Sequence, residues 1–331
     1  MANVKRVIAL GFFDGIHIGH MALLRRTLEI ASGKDITPCV ITFDALPQNL
    51  INASSSPVPL INSPQDRAGL ISRLFGIDDI IFLRFDKKLA AMPWDEFIDF
   101  LAMQYGARHF VVGGNFRFGS GRAGNSAALE QKCRLDGLGC DIIEDVIYDN
   151  VVSSSTYIRK LLACGGTERA NAFLGHAHIL TDIVRRGERL GRNLDAPTIN
   201  MRFAPGVLVP AFGVYATRVY INLCGDERTV GTRRPDARAA GITSYRGAPV
   251  AAIDDGLLGV TNIGVRPTVD DSGNITVETH IPDYNHDLYE RKVRVEFYKR
   301  LRPEIKFSDI KELRAQIQKD CALAKAYFDN R

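Results

Sequence analysis

Nowhere does this chain approach the about 20 consecutive apolar residues of a membrane-spanning helix. Residues 7–13 are apolar but short, and Asp14 interrupts them before any cleavage-like site, so they do not read as a secretion signal. The six cysteines (Cys39, Cys133, Cys140, Cys164, Cys224, Cys321) never fall into C-x-x-C spacing. That argues against a zinc ribbon or a disulfide frame and for plain thiols in a reducing compartment. Neither charge sign dominates: 42 Lys and Arg against 38 Asp and Glu leave a net +4. So mild and dispersed a charge favours small polyanionic ligands slightly and points to neither nucleic acid nor membrane. There is no internal repeat and no low-complexity tract. The expectation is a cytoplasmic protein, a monomer or weak homo-oligomer. At 46% hydrophobic and 24% charged, its 331 residues suffice for about two globular domains.

The two halves differ in texture. Apolar runs at 7–10, 39–43, 80–83, 110–112 and 142–146 alternate with helical stretches, notably 21–31, 64–75 and 94–103. That alternation predicts a parallel α/β sheet. Pro57, Pro59 and the serines at 54–56 predict a loop over the strand ends. A short helix is predicted at 167–174. From about residue 180, β-like runs at 179–184, 214–220, 258–261, 275–281 and 292–298 are separated by turns rich in Gly, Pro, Asp and Asn. Such spacing predicts a small antiparallel barrel. Asp309 and Glu312 have capping-box spacing ahead of an apolar stripe (Ile310, Leu313, Ile317, Cys321), which predicts a closing helix that packs on the core. The expected domains are 1–165 and 180–331, with 166–179 as linker.

The most informative run is Gly11-Phe12-Phe13-Asp14-Gly15-Ile16-His17-Ile18-Gly19-His20, between the first strand and the first helix. Its glycines permit close approach of backbone to a ligand. A helix N-terminus offers unpaired N–H groups and a partial positive charge, a natural phosphate site. His17 and His20 share one face of the first turn, about 5–6 Å apart at Cβ. With no third ligand nearby, the pair suits a phosphate better than a metal; the plainer alternative is a glycine turn with two surface histidines. The H-x-G-H run resembles that of nucleotidyltransferases, specifically bacterial FAD synthetases. The resemblance implies a nucleotidyltransferase-like α/β domain. It also implies that His17 and His20 bind ATP phosphates and stabilise charge on the α-phosphoryl group, with Gly11, Phe12, Asp14 and Gly15 as nucleotide contacts.

A second cluster runs from Val111 to Gly124. Gly119, Gly121 and Gly124 form a formal G-x-G-x-x-G, with Asp141 near the spacing a dinucleotide fold would want. The motif stands six residues past its strand and late in the sheet, which weighs against that alternative. The same run resembles the G-x-D/N-F-x-F-G segment of FAD synthetases, implying that Asn115 contacts the nucleotide and that Phe116 and Phe118 contact flavin. Where many members carry Asp, Asn115 can hydrogen-bond but carries no charge. Residues 153–159 resemble the family's S-S-T-x-I-R, implying that Ser155, Thr156 and Arg159 clamp a triphosphate; an N-cap and a solvated arginine are the ordinary alternative. One departure stands out. Phe43-Asp44 is followed by Ala45-Leu46-Pro47, without the family's P-H-P turn.

In the second half, Gly187-Glu188-Arg189-Leu190-Gly191-Arg192 leads to Pro197-Thr198-Ile199-Asn200, resembling the glycine loop and P-T-x-N of bacterial riboflavin kinases. That resemblance implies that Gly187, Gly191 and Arg192 contact ATP and that Thr198 and Asn200 hold Mg²⁺ with ATP through hard oxygens. Further matches follow in order: Gly213-Val214-Tyr215, residues 262–268, Val277-Glu278-Thr279-His280, Asp287-Leu288-Tyr289 and Leu301-Arg302-Pro303-Glu304. They imply Glu278 as the base for the flavin's ribityl 5′-hydroxyl and Arg302 as a flavin contact. Asp195-Ala196 departs from the family's G-F. The stretch 225–256 looks longer than the usual hairpin and reads as a mobile surface insertion. With its basic residues, nucleic-acid binding is a remote alternative. Riboflavin, FMN, FAD and ATP are the implied ligands. A chain retaining only one activity, or a flavin-binding regulator without turnover, remains the rival reading.

Overall fold

The computed structural model describes residues 4–51, 56–186, 198–221, 243–245, 256–265, 275–282, 284 and 286–330. They fall into two units: one holds the chain to Leu60, Arg67–Ser154 and Thr243–Tyr245, and the other holds Ile61–Asp66 with the remainder from Ser155. Among the described residues, no helix is long and apolar enough to cross a membrane.

The first unit runs β1 (Arg6–Leu10), α1 (Ile18–Lys34), β2 (Thr37–Phe43), α2 (Pro47–Ile51), α3 (Pro64–Phe75) and β3 (Ile80–Leu83). It continues through α4 (Lys87–Ala91), α5 (Trp94–Tyr105), β4 (Ala107–Gly113), β5 (Arg117–Phe118), β6 (Gly124–Asn125) and α6 (Ser126–Leu135). It ends with β7 (Gly139–Ile143), β8 (Ile147–Tyr148) and β9 (Val151–Val152). The second unit carries α7 (Ser155–Ala163), α8 (Thr167–Leu174), β10 (His178–Ile183), β11 (Thr198–Met201) and β12 (Gly213–Ile221). After β13 (Thr243–Tyr245) come β14 (Leu257–Val265), β15 (Ile275–His280), β16 (Lys292–Arg302) and α9 (Ile310–Asp329).

In the first unit the strand order is β13-β3-β2-β1-β4-β7. The five strands from β3 to β7 are mutually parallel. Helices on both faces bury such strands throughout, which is why Val7–Leu10 and Cys39–Phe43 read as unbroken apolar runs. Ile8, Leu10, Ile41, Phe97, Leu101 and Phe110 anchor one core layer. The edge differs from expectation. Thr243–Tyr245, within the presumed mobile insertion, pairs antiparallel with β3. Most of the rest of that insertion, including its basic residues, lies outside the described residues, as does Cys224 just before it.

In the second unit β10-β16-β12-β14-β15-β11 forms one antiparallel, curled sheet. Register shifts along β12 and β16 add the local twist that lets a sheet curl. An isolated bridge between Arg185 and Asn200 joins the two ends of the strand order. Leu180, Tyr215, Ile263, Val277, Val295 and Phe297 fill the interior. The stretch 166–179, expected as linker, carries α8 and the start of β10; the Asn171 amide donates to the Phe297 carbonyl at 2.8 Å. Asp309 caps α9 as its spacing predicts, accepting the Glu312 N–H at 2.9 Å while Glu312 reaches back to Ser308. The predicted stripe is shifted. Ile310 is exposed, and the helix docks instead through Cys321, Ala324, Tyr327 and Phe328 against β12 and β14.

His178 sits at the start of β10 with no exposed surface, packed against the rings of Phe203 and Phe297. Neither ring nitrogen has a hydrogen-bond partner. Burial, with the charge of His176 adding, lowers its pKa from 6.5 to about 3. Because the unfolded chain takes up that proton near pH 6.5, the group favours folding above that pH. Its contribution is lost as pH falls toward 3, by about 1.4 kcal/mol per pH unit. His178→Phe should therefore flatten the acid loss of stability of the second unit between pH 6.5 and 4.5. Thermal melts across that range check this; a variant falling as steeply as its parent would contradict it.

Candidate functional site

Seven residues connect β1 to α1, and their backbone is unusual. Phe13 (φ 56°) and Ile16 (φ 44°) occupy the left-handed region that side chains avoid, with Gly15 at 84° between them. Both apolar side chains are fully buried, so tertiary packing imposes the turn. A Cβ on Gly11 would lie 3.2 Å from the Phe13 ring, which needs that space. Asp14 is buried within the same turn.

His17 caps α1, its Nδ1 accepting the His20 N–H at 3.4 Å. That bond places the proton of a neutral His17 ring on Nε2. The two rings stack with centroids 3.6 Å apart, and the Phe13 edge meets His20 at 5.2 Å. Gly19 completes the motif, since a Cβ there would come 3.1 Å from the His17 ring. Burial of the His20 ring, then His17 and Arg67 nearby, hold its pKa well below 6.5. His20 is therefore neutral at pH 7. No acidic residue occupies the first turn of α1, so its N-terminal field is left for an anion.

The glycine-rich run after β4 is not a dinucleotide turn. Gly119 and Gly124 sit in a β5–β6 hairpin around a kinked short helical turn, and α6 begins only after that hairpin. Cβ atoms on them would come 2.5 and 2.7 Å from Trp94, so they serve close packing. Asp141 is engaged by Arg26 and His109, not left for a ribose. Asn115 is exposed and donates to Asp145 at 3.3 Å. The Phe116 and Phe118 rings stack at 5.0 Å, but Phe118 is buried against Trp94 and Phe97 while Phe116 is half-buried. Of the two, Phe116 has the face to offer a planar ligand. Ser155, Thr156 and Arg159 lie on α7, in the second unit, with Thr156 exposed.

In the barrel, register does the assembling. Asn200 on β11 pairs with Glu278 on β15, which pairs in turn with Asn262 on β14. Thr198 pairs with His280 one step along the same face. Directly opposite residues sit about 4.5–5.5 Å apart at Cβ, so these side chains form one polar patch. Ile199, Met201, Val277 and Thr279 alternate with them into the interior. Thr198 and Asn200 present neutral oxygens, and the described residues contain no cluster of three or more His, Cys, Asp or Glu able to hold a metal. Arg302, expected as a flavin contact, lies at the end of β16. Its guanidinium binds the buried Asp320 carboxylate at 2.7–3.1 Å and ties β16 to α9. Gly187, Gly191, Arg192 and Asp195-Ala196 lie outside the described residues.

Two family models match in tandem: FAD synthetase over residues 1–157 and riboflavin kinase over residues 174–328. The bifunctional riboflavin kinase/FMN adenylyltransferase of Bacillus subtilis (strain 168) is 31% identical over 331 residues, covering 99% of this chain and 94% of its own. This chain belongs to that bifunctional family. Relatives of the same name from Escherichia coli (strain K12) and Pseudomonas fluorescens are each 30% identical, over 97% of this chain and 92% of theirs. A crystal structure titled as a macrolide-efflux protein from Streptococcus pneumoniae superposes with TM-score 0.78 at 24% identity, covering 98% and 95% of the two chains. At that identity it shows the shared fold alone.

Within this riboflavin kinase/FMN adenylyltransferase scaffold, the sequence reading missed the place of Asn262. Its N-I-G run matched the family, yet only the β14–β15 register sets it opposite Glu278. Gly119→Ala, with φ 72° and a 2.5 Å approach to the Trp94 backbone, should destabilise that unit by about 1–3 kcal/mol. Denaturant unfolding followed at Trp94 checks this; an unchanged midpoint would show the contact to be relaxed.

Proposed function

We propose that the chain makes FAD from riboflavin in two ATP-dependent steps, each on its own unit. The second unit transfers the γ-phosphoryl group of ATP to the ribityl 5′-hydroxyl, giving FMN and ADP. The first transfers AMP from a second ATP to the FMN phosphate, giving FAD and pyrophosphate. The observation that carries this reading is the tandem match over nearly the whole chain, with both chemically competent side-chain sets present. A cytoplasmic location, where ATP is abundant and thiols stay reduced, belongs to the same reading.

For adenylyl transfer, an oxygen of the FMN phosphate bonds to the α-phosphorus as the bond to pyrophosphate breaks. The N-terminal N–H groups of α1 and the rings of His17 and His20 supply fixed donors where negative charge gathers. A neutral His20 donates one N–H without adding a proton to be lost. Gly11, Phe12, Asp14, Gly15 and Asn115 are the proposed nucleotide contacts. Phe116 is the proposed flavin contact.

For the kinase step, Glu278 accepts the 5′-hydroxyl proton as that oxygen bonds to phosphorus. Asn262 and Asn200 stand on either side of Glu278 in the register, and the Asn262 amide donates to Glu304 at 3.4 Å. Both families use ATP, generally with a divalent metal. Mg²⁺ fits Thr198 and Asn200, whose hard neutral oxygens would complement those of the phosphates. When bound, the ion neutralises phosphate charge. Gly187, Gly191 and Arg192 are proposed as the loop over ATP.

Replacing both His17 and His20 with Ala should cut FMN-to-FAD conversion by at least about 100-fold, since one such donor commonly supplies about 2.7–4 kcal/mol. Riboflavin-to-FMN conversion should persist. Chromatographic separation of the three flavins reads both steps at once, and normal FAD output from the double variant would remove the histidines from the reaction.

Glu278→Gln keeps the shape but cannot take the proton. FMN production should fall about 10²–10⁴-fold, while supplied FMN is still converted to FAD. Unimpaired phosphorylation of riboflavin by that variant would assign the base elsewhere.

A further inference from the structure

Arg67, in the first turns of α3, is among the largest fully buried side chains of the molecule and has no exposed surface. Its Nη1 donates to the Phe12 carbonyl at 2.5 Å and its Nη2 to the Phe43 carbonyl at 2.9 Å. The guanidinium carbon lies 4.5 Å from the Phe12 ring centroid and 5.1 Å from that of Phe82. Thr42 Oγ1 donates to the same Phe12 carbonyl at 2.8 Å. Phe12 stands just beyond the carboxyl end of β1, and Phe43 closes the carboxyl end of β2. In parallel α/β sheets those ends carry the ligand site. A planar guanidinium can hold two carbonyls in fixed geometry while stacking on aromatic faces.

We propose that Arg67 is a positioning residue for adenylyl transfer: its buried guanidinium fastens the carboxyl ends of two neighbouring strands and thereby fixes the turn that carries His17 and His20. The inference rests on the adenylyl-transfer reading of the first unit. Phe12 immediately precedes Phe13, the first of the residues held at positive φ. Releasing its carbonyl lets that turn relax, and the stacked imidazoles move with it. A misplacement of about 1 Å is enough to cost about 100-fold in rate. Arg67 also lies near enough to His20 for its charge to oppose protonation of that ring, which keeps the pair from becoming two adjacent cations.

The test uses the full chain and measures kcat and KM for FMN adenylylation, with riboflavin phosphorylation by the same preparation as the internal control. Arg67→Met should lower kcat at least about 100-fold with KM for FMN changed less than about threefold. Arg67→Lys keeps the charge but can hold one carbonyl at a time; it should recover most of that loss, remaining about three- to tenfold below the parent in kcat at unchanged KM. Phosphorylation should stay within about twofold in both. If the Met variant fails to fold its first unit, the Lys variant decides. A Lys variant with parental kcat but a lowered melting temperature would overturn the proposal, because Arg67 would then serve stability alone. A folded Met variant with kcat within about threefold of the parent would do the same. A parent that makes no FAD at all would instead overturn the adenylyl-transfer reading.

Discussion

The carbonyl of Phe12 receives both the Arg67 guanidinium and the Thr42 hydroxyl, and the turn that carries His17 and His20 begins at that junction. Beyond it the chain enters a turn that its own backbone disfavours. Left-handed conformations at Phe13 and Ile16 cost on the order of 1–3 kcal/mol each. Complete burial of the two side chains offsets this, at about 1.5–3 kcal/mol each. The turn therefore exists only while the surrounding core does. In return it sets His17 at the cap of α1 and lays His20 against it, with the His20 Nδ1 buried. Two imidazoles 3.6 Å apart cannot both be charged at modest cost. Burial resolves that conflict by keeping His20 neutral, which leaves directed N–H donors and an unopposed helix N-terminus for a phosphate.

The second site rests on a different constraint, strand register. Thr217, Thr261 and Thr279 form a buried ladder of hydroxyls, each contact 2.9 Å, across β12, β14 and β15. These groups satisfy one another only in one alignment, and an unsatisfied buried hydroxyl is costly. The same alignment puts Glu278 opposite Asn200 and Asn262 on the outward face. A slip of one residue would turn Glu278 toward the apolar interior and expose Val277. Glu278 is thus positioned by its inward-facing neighbours as much as by its own contacts.

Most of this was legible in the sequence where one period dominated. Unbroken apolar runs located β1, β2 and β3 because a parallel sheet buries both faces, and Pro64–Phe75 emerged as a helix with the expected bounds. The family motifs named candidate residues for both sites because their chemistry restricts residue type. What escaped depended on distant partners. Nothing in the sequence around Arg67 distinguishes a buried arginine from a solvated one on an amphipathic helix. Arg302 carried a family motif, yet its guanidinium goes to Asp320, eighteen residues on. Gly119 and Gly124 mimicked a phosphate loop, although their lack of a side chain answers to Trp94. β13 was read as insertion because a three-residue edge strand leaves no periodicity to detect.

The account's central claim is that one chain performs two transfers of different parts of ATP. Supplying riboflavin with ATP labelled at the γ-phosphorus, and in parallel at the α-phosphorus, separates them directly. The account predicts γ-label in FMN first and then in FAD, with α-label entering FAD and never FMN. Label from only one position reaching flavin, or α-label appearing in FMN, would contradict it.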